Sequence, residues 1–229
     1  MRAFKSLLCV ACVLVVGCAG TTQGQQESQK INSQVSNFGK AAESTELEIR
    51  TAIVTLTSMI ESEGGDLNAP YKKFAASVNK SDKQITDLKT RIAKMDAAAA
   101  TYFQTYEGDL EKIASEDMRE SRRKRLEAAR ANYQALSQHA NGIVTASEPL
   151  IATLKDVSTA LGLELNPGSV QALKANADKL GKMADDWYKR IAEIKADAQK
   201  WQAETAPTVA EGAGVDKEAG KDGGEAAKK

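Results

Sequence analysis

Three sets of side chains have types that could do chemistry: one cysteine, one histidine and one run of cations. Cys18 ends the segment Val15-Val16-Gly17-Cys18. Small or apolar residues leading into a cysteine have the form of a bacterial lipobox. The thiol takes a diacylglycerol as a thioether, the chain is cut before it, and the cysteine becomes an acylated first residue. Val15 stands where leucine is commoner. His139 is the chain's one histidine, and it falls one residue before an apolar row position at Ala140. It reads as a boundary residue. A di-iron bundle needs Glu-x-x-His pairs on facing helices, and Leu136 stands three residues before His139. A zinc site needs more histidine and cysteine than this chain carries. No glycine-rich phosphate loop follows a strand. This inventory predicts no enzyme, no cofactor and no metal.

The cations are Arg119, Arg122, Arg123, Lys124 and Arg125, set among Glu116, Asp117, Glu120 and Glu127. One reading is a solvated helix surface with ion pairs three and four residues apart. The other is contact with anionic lipid headgroups or another polyanion, where each cation contributes about 1 kcal/mol. The chain carries 31 basic and 31 acidic residues, and loss of Arg2 and Lys5 with a signal leaves 29 against 31. A body of that balance is not a general nucleic-acid binder.

The segments that hold these residues differ in kind. Arg2 and Lys5 precede the apolar run Leu7–Val16. That run is too short to span a bilayer permanently and reads as a secretory signal peptide over residues 1–17. Residues 18–28 are expected as a flexible linker starting at lipidated Cys18. Residues 29–203 are expected as an antiparallel helical bundle. Residues 204–229 are Ala, Gly, Glu and Lys-rich and bury too little surface to offset ordering entropy, so a disordered tail is expected. Its end, Lys228-Lys229, reads as solubilising, although some outer-membrane lipoproteins join peptidoglycan through a terminal lysine. Cys9 and Cys12 leave with the signal, so the mature chain holds no disulfide in a compartment that permits one. Ala19 follows the cysteine where aspartate is the usual inner-membrane retention mark. This places the chain on the outer membrane, facing the periplasm, with the membrane as partner through its lipid.

Apolar residues recur at a seven-residue period in four blocks. Ile31, Phe38, Ala52 and Met59 form one row, with Val35, Ala42, Ile49 and Leu56 beside them. The second block joins Tyr71, Val78, Ile85, Ile92, Ala99, Tyr106 and Ile113 to Phe74, Leu88, Met95 and Tyr102, with Ser81 interrupting. The third runs from Leu126 and Tyr133 to Leu154 and Leu161 beside Ala129, Leu136, Ile143, Leu150 and Val157. The fourth pairs Val170, Ala177, Ala184, Ile191 and Ala198 with Leu173, Leu180, Trp187, Ile194 and Trp201. A sustained 3.5 period predicts coiled-coil packing. The fold class is therefore all-α: an elongated antiparallel bundle of four long helices.

Helices are expected over about 28–63, 66–114, 116–161 and 169–203, with stops at Gly64-Gly65 and Gly162 and a kink at Pro149. At 1.5 Å per residue the shorter pair spans about 50 Å and the longer about 70 Å. Counting from the shared turns puts Ile31, Tyr102, Leu126 and Trp201 in one layer. Below it the second and third helices continue as a protruding two-helix hairpin, about 18 Å deep, with its tip near Ala114 and Ser115. The aromatics Tyr102, Phe103, Tyr106, Trp187 and Trp201 are expected in the core, with a ligand groove as the alternative.

Several short elements, in order, carry a family resemblance. They are Gly64-Gly65-Asp66-Leu67 with Tyr71, Arg91-Ile92, Phe103, and Glu107 with Leu110 and Ile113. Met118-Arg119 with Ser121, Glu148-Pro149-Leu150, Leu154-Lys155-Asp156-Val157 and Leu165-Asn166 continue the set. Over residues of about 30–200 the chain resembles bacterial helical lipoproteins catalogued as domain of unknown function 2959. Tyr106 stands in place of a tryptophan, and Gly162 to Glu164 replaces a segment that often holds lysine and histidine. The resemblance implies the fold and the location, and carries no assigned activity.

The expectation is a membrane-anchored structural or adaptor bundle with a protein or envelope partner. A monomer and an oligomer sharing its seams have the same heptads, so oligomers remain open. The alternatives are a membrane-active, pore-forming-like bundle and a carrier of an apolar ligand.

Overall fold

The computed structural model describes residues 23–62 and 65–205. Cys18, the signal segment, Gly64 and residues 206–229 lie outside the described residues. The helices are α1 (Gln23–Glu61), α2 (Asn68–Leu110), α3 (Glu116–Leu163), α4 (Pro167–Ala172) and α5 (Lys174–Thr205). Among the described residues there is no strand. α1 packs on α2 and α5, and α3 packs on the same two, so the four long helices close a ring with α1 and α3 on a diagonal.

The heptad rows become the core. Every α1 row position is buried, as are Phe74, Leu88, Met95, Leu136, Ile143, Leu154, Leu180 and Trp187. Each large side chain so buried contributes about 1.5–3 kcal/mol. Polar row members satisfy themselves within their own helix. Ser81 donates to the Ser77 carbonyl at 2.8 Å, Thr45 to Ala41 at 2.8 Å and Ser147 to Val144 at 2.6 Å. A buried hydroxyl bonded to the preceding turn carries little penalty, which is why Ser81 does not break the seam.

Local chemistry sets the ends. The Ser115 side chain accepts from the Met118 N–H and caps α3. Asn166 caps α4 by accepting from the Ser169 N–H at 2.9 Å, with Pro167 in the first turn. Gly65 has φ +133°, a conformation that favours glycine, at the α1–α2 turn. That turn and the α3–α4 turn share one end of the rod. There Gln171 Nε2 donates to the Ile60 carbonyl, and the Tyr71 hydroxyl donates to the Ser158 carbonyl at 3.3 Å.

Several expectations need correcting. Residues 23–28, expected in the linker, form the first turns of α1, with Glu27 buried. Gln and Glu are good helix formers, and polarity alone does not make a segment flexible. α2 stops at Leu110 rather than 114. Its last turns tighten, with Lys112 N–H on the Asp109 carbonyl and Ile113 N–H on Leu110. The expected fourth helix is broken at Leu173 into α4 and α5, although the Ala177 N–H still reaches the Leu173 carbonyl. Gly162 does not stop α3, which runs on to Leu163. It makes room instead: a Cβ there would stand 2.6 Å from the Tyr71 hydroxyl. Pro149 lies inside α3 as expected and is exposed together with Thr145. Proline supplies no N–H to the preceding turn there.

The hairpin is also less free than counting implied. α1 follows α2 down to Gly24, where an added Cβ would lie 3.2 Å from Asp109 Oδ2. Gly24, near the first described residue of α1, thus lies at the level of Asp109 on α2.

Candidate functional site

The end of the rod near Thr205, the last described residue of α5, gathers most of the residues singled out from the sequence. α5 ends in a clamp. Ser28 Oγ donates to the Thr205 carbonyl at 3.1 Å, and Thr205 Oγ1 lies 2.9 Å from Asn32 Oδ1. Just above it Trp201 is fully buried. The rings of Tyr102, Phe103 and Tyr133 meet it edge-on, with centroids 6.1, 6.2 and 5.5 Å away. Edge-to-face contacts of this kind add about 0.5–1.5 kcal/mol each beyond area burial. The expected layer holds for Tyr102 and Trp201. On α3, however, Trp201 meets Tyr133, one heptad above the Leu126 expected there.

This layer is buried, and its hydroxyls titrate accordingly. Burial, followed by the neighbouring Tyr106, pushes the Tyr102 hydroxyl up to about 12, with Arg125 pulling the other way. Burial also raises Tyr133, whose hydroxyl donates to Asp96 at 2.6 Å and is held protonated by that carboxylate. Ser137 shares the same Asp96 oxygen at 2.9 Å.

Along the outer face of the hairpin run two open grooves of about 380 and 600 Å³. Phe103, Tyr133 and Leu126 contribute apolar wall, and Arg130 borders both. Arg130 pairs with Glu107 at 2.6 Å, and its guanidinium lies 5.1 Å from the Phe103 ring centroid. Phe103, expected in the core, is buried and also borders the smaller groove, as does Tyr133. Trp201 and Trp187 are core, and the Trp187 N–H is spent on the Ile143 carbonyl at 2.9 Å. His139 sits opposite Asp197 at 2.5 Å and ties α3 to α5 at the surface. Among the described residues no group of three metal-ligating side chains converges.

The five cations divide. Arg119 pairs with Glu116 and reaches the Ile113 carbonyl at 3.4 Å, closing the end of α2. Arg123 and Lys124 share Glu120, at 3.0 and 3.7 Å. Arg122 and Arg125 are exposed, and among the described residues neither makes an ion pair. Heptad counting missed this division, because it depends on which way each side chain leaves the helix. A helical-wheel reading could have found it. Met118, 62% exposed, lies on the same side as Arg122 and Arg125.

The comparisons follow this geometry in extent. No curated protein and no solved structure matches the chain. The family model described as "Protein of unknown function (DUF2959)" matches residues 20–204, from just before α1 to the end of α5. The chain belongs to that family.

Proposed function

We propose that this chain is a lipid-tethered helical strut: an envelope lipoprotein that holds a rigid rod at a membrane surface and presents its sides to a protein or envelope partner, without catalysing a reaction. The observation that carries this is the placement of Gly24 beside Asp109. It sets the N-terminal end of the rod, a few residues after Cys18, next to the hairpin tip. α3, with 48 residues, is about 72 Å long. A closed ring of four such helices resists bending far better than one helix does. The lipobox form of Val15 to Cys18 and the non-aspartate Ala19 favour an outer-membrane anchor facing the periplasm.

Metabolic labelling with a palmitate analogue tests the anchor. Label enters the wild-type chain and is absent from Cys18→Ala, which leaves the membrane fraction. Equal labelling of the two chains ends the proposal. In-cell crosslinking from the exposed flanks of α1 and α5 then captures the partner, and the identity of the captured species tests the adaptor role.

A further inference from the structure

We propose that Met118, Arg122 and Arg125 form a contact face for the anionic phospholipid surface in which Cys18 is anchored. The inference rests on the lipid-anchor reading above and adds a second point of attachment to it.

The face is defined by α5. Asn132 bonds Glu204, His139 meets Asp197 and Tyr133 meets Trp201, so α5 lies along the α3 stripe that contains positions 132 and 139. Continuing down that stripe at the same seven-residue interval gives Arg125 and then Met118. α5 ends at Thr205, one residue past the partner of Asn132. The stripe runs on past the level of Thr205, the last described residue of α5, and Met118, Arg122 and Arg125 are exposed there.

Charge is segregated around α3. At 100° per residue, Met118, Arg122 and Arg125 fall within about 60° of one another. Glu116, Asp117, Glu120 and Glu127 all lie about 80° or more outside that sector. The three other cations, Arg119, Arg123 and Lys124, are on those acidic sides and are paired there. What remains is a thioether flanked by two unpaired guanidiniums. That composition suits a headgroup boundary, where arginine meets phosphate and methionine enters the acyl edge.

Reach selects the membrane as occupant. α1 begins at Gln23, five residues after Cys18. Five residues extend at most about 18 Å. Since Gly24 lies at the level of Asp109, the surface holding the lipid is kept within that distance of the hairpin end. Two unpaired arginines near an anionic surface attract too weakly to bind alone but enough to orient a tethered rod.

The test uses full-length mature lipoprotein reconstituted into vesicles of phosphatidylcholine, with or without phosphatidylglycerol. Once Cys18 is a thioether, Met118→Cys supplies the chain's one reactive thiol for a polarity-sensitive fluorophore. Its emission should shift to shorter wavelength when phosphatidylglycerol is present. Added salt and the Arg122→Gln/Arg125→Gln pair should abolish the shift, while Arg123→Gln/Lys124→Gln should leave it. Equal emission in the two lipids, or a shift that survives Arg122→Gln/Arg125→Gln with helicity intact, overturns the contact face. A chain that does not float with the vesicles, or whose Cys18 takes the dye, overturns the anchor and the face with it.

Discussion

The Tyr71 hydroxyl of α2 fills the space beside Gly162 of α3: a Cβ at position 162 would stand 2.6 Å from that oxygen and 3.7 Å from Tyr71 Cζ. Helical alanine is worth about 1 kcal/mol over glycine, yet Gly162→Ala should destabilise this rod. The ring is stiff and would have to give up its bond to the Ser158 carbonyl. A cost of about 1–3 kcal/mol is expected, in the range of other overpacking changes. In a Tyr71→Phe background the clash goes, and Gly162→Ala should turn neutral or stabilising. Urea unfolding of the four chains in this cycle measures the sign change.

The two tryptophans should respond differently to phenylalanine. The Trp187 N–H bonds the Ile143 carbonyl, whereas Trp201 Nε1 is buried without a partner. Trp187→Phe loses a hydrogen bond worth about 1 kcal/mol in addition to volume. Trp201→Phe loses volume but relieves an unsatisfied donor, so it should be the milder change by about that amount. Trp201→Ala removes the centre of the aromatic layer and should cost about 3–5 kcal/mol. Thermal unfolding of the three variants decides the order.

Alkaline pH should unfold the rod through its tyrosines. Burial raises Tyr102 and Tyr188 to about 12 and raises Tyr133 further. An unfolded tyrosine ionises near pH 10. Above that value the unfolded chain gives up protons that the folded chain keeps, so stability falls with rising pH. The contribution is complete below about pH 10 and is lost progressively through about pH 12. Tyr133→Phe should flatten this decline. Phenolate absorbance titration beside urea unfolding checks both halves.

Pro149 should be replaceable at a gain. It lies exposed inside α3, where alanine would restore the N–H that proline lacks. Interior proline costs about 3 kcal/mol relative to alanine, and a gain of about 1–3 kcal/mol is expected from Pro149→Ala. A loss of stability would mean that the local backbone is set by packing against α2 and α5 rather than by the proline.

Much of this architecture is written in the spacing of side chains. The seven-residue spacing puts Ile31, Val35, Ala42, Leu88, Leu136, Leu154 and Trp187 in the core, and they are buried. Helix type, antiparallel order and the shared turn end follow equally, because three-and-four spacing and short turns are local properties of the chain. The relative level of the helices was not legible. Trp201 meets Tyr133 rather than standing level with Leu126, and a heptad pattern is unchanged when one helix slides by seven residues. Only the side chains across the seam choose among such registers. The same holds for Gln23 to Ser28, whose polar sequence gives no hint that Thr205 waits on another helix to bond it. It holds too for the cations, since the sequence sets their number, but only the folded helix shows that Arg119, Arg123 and Lys124 find acids.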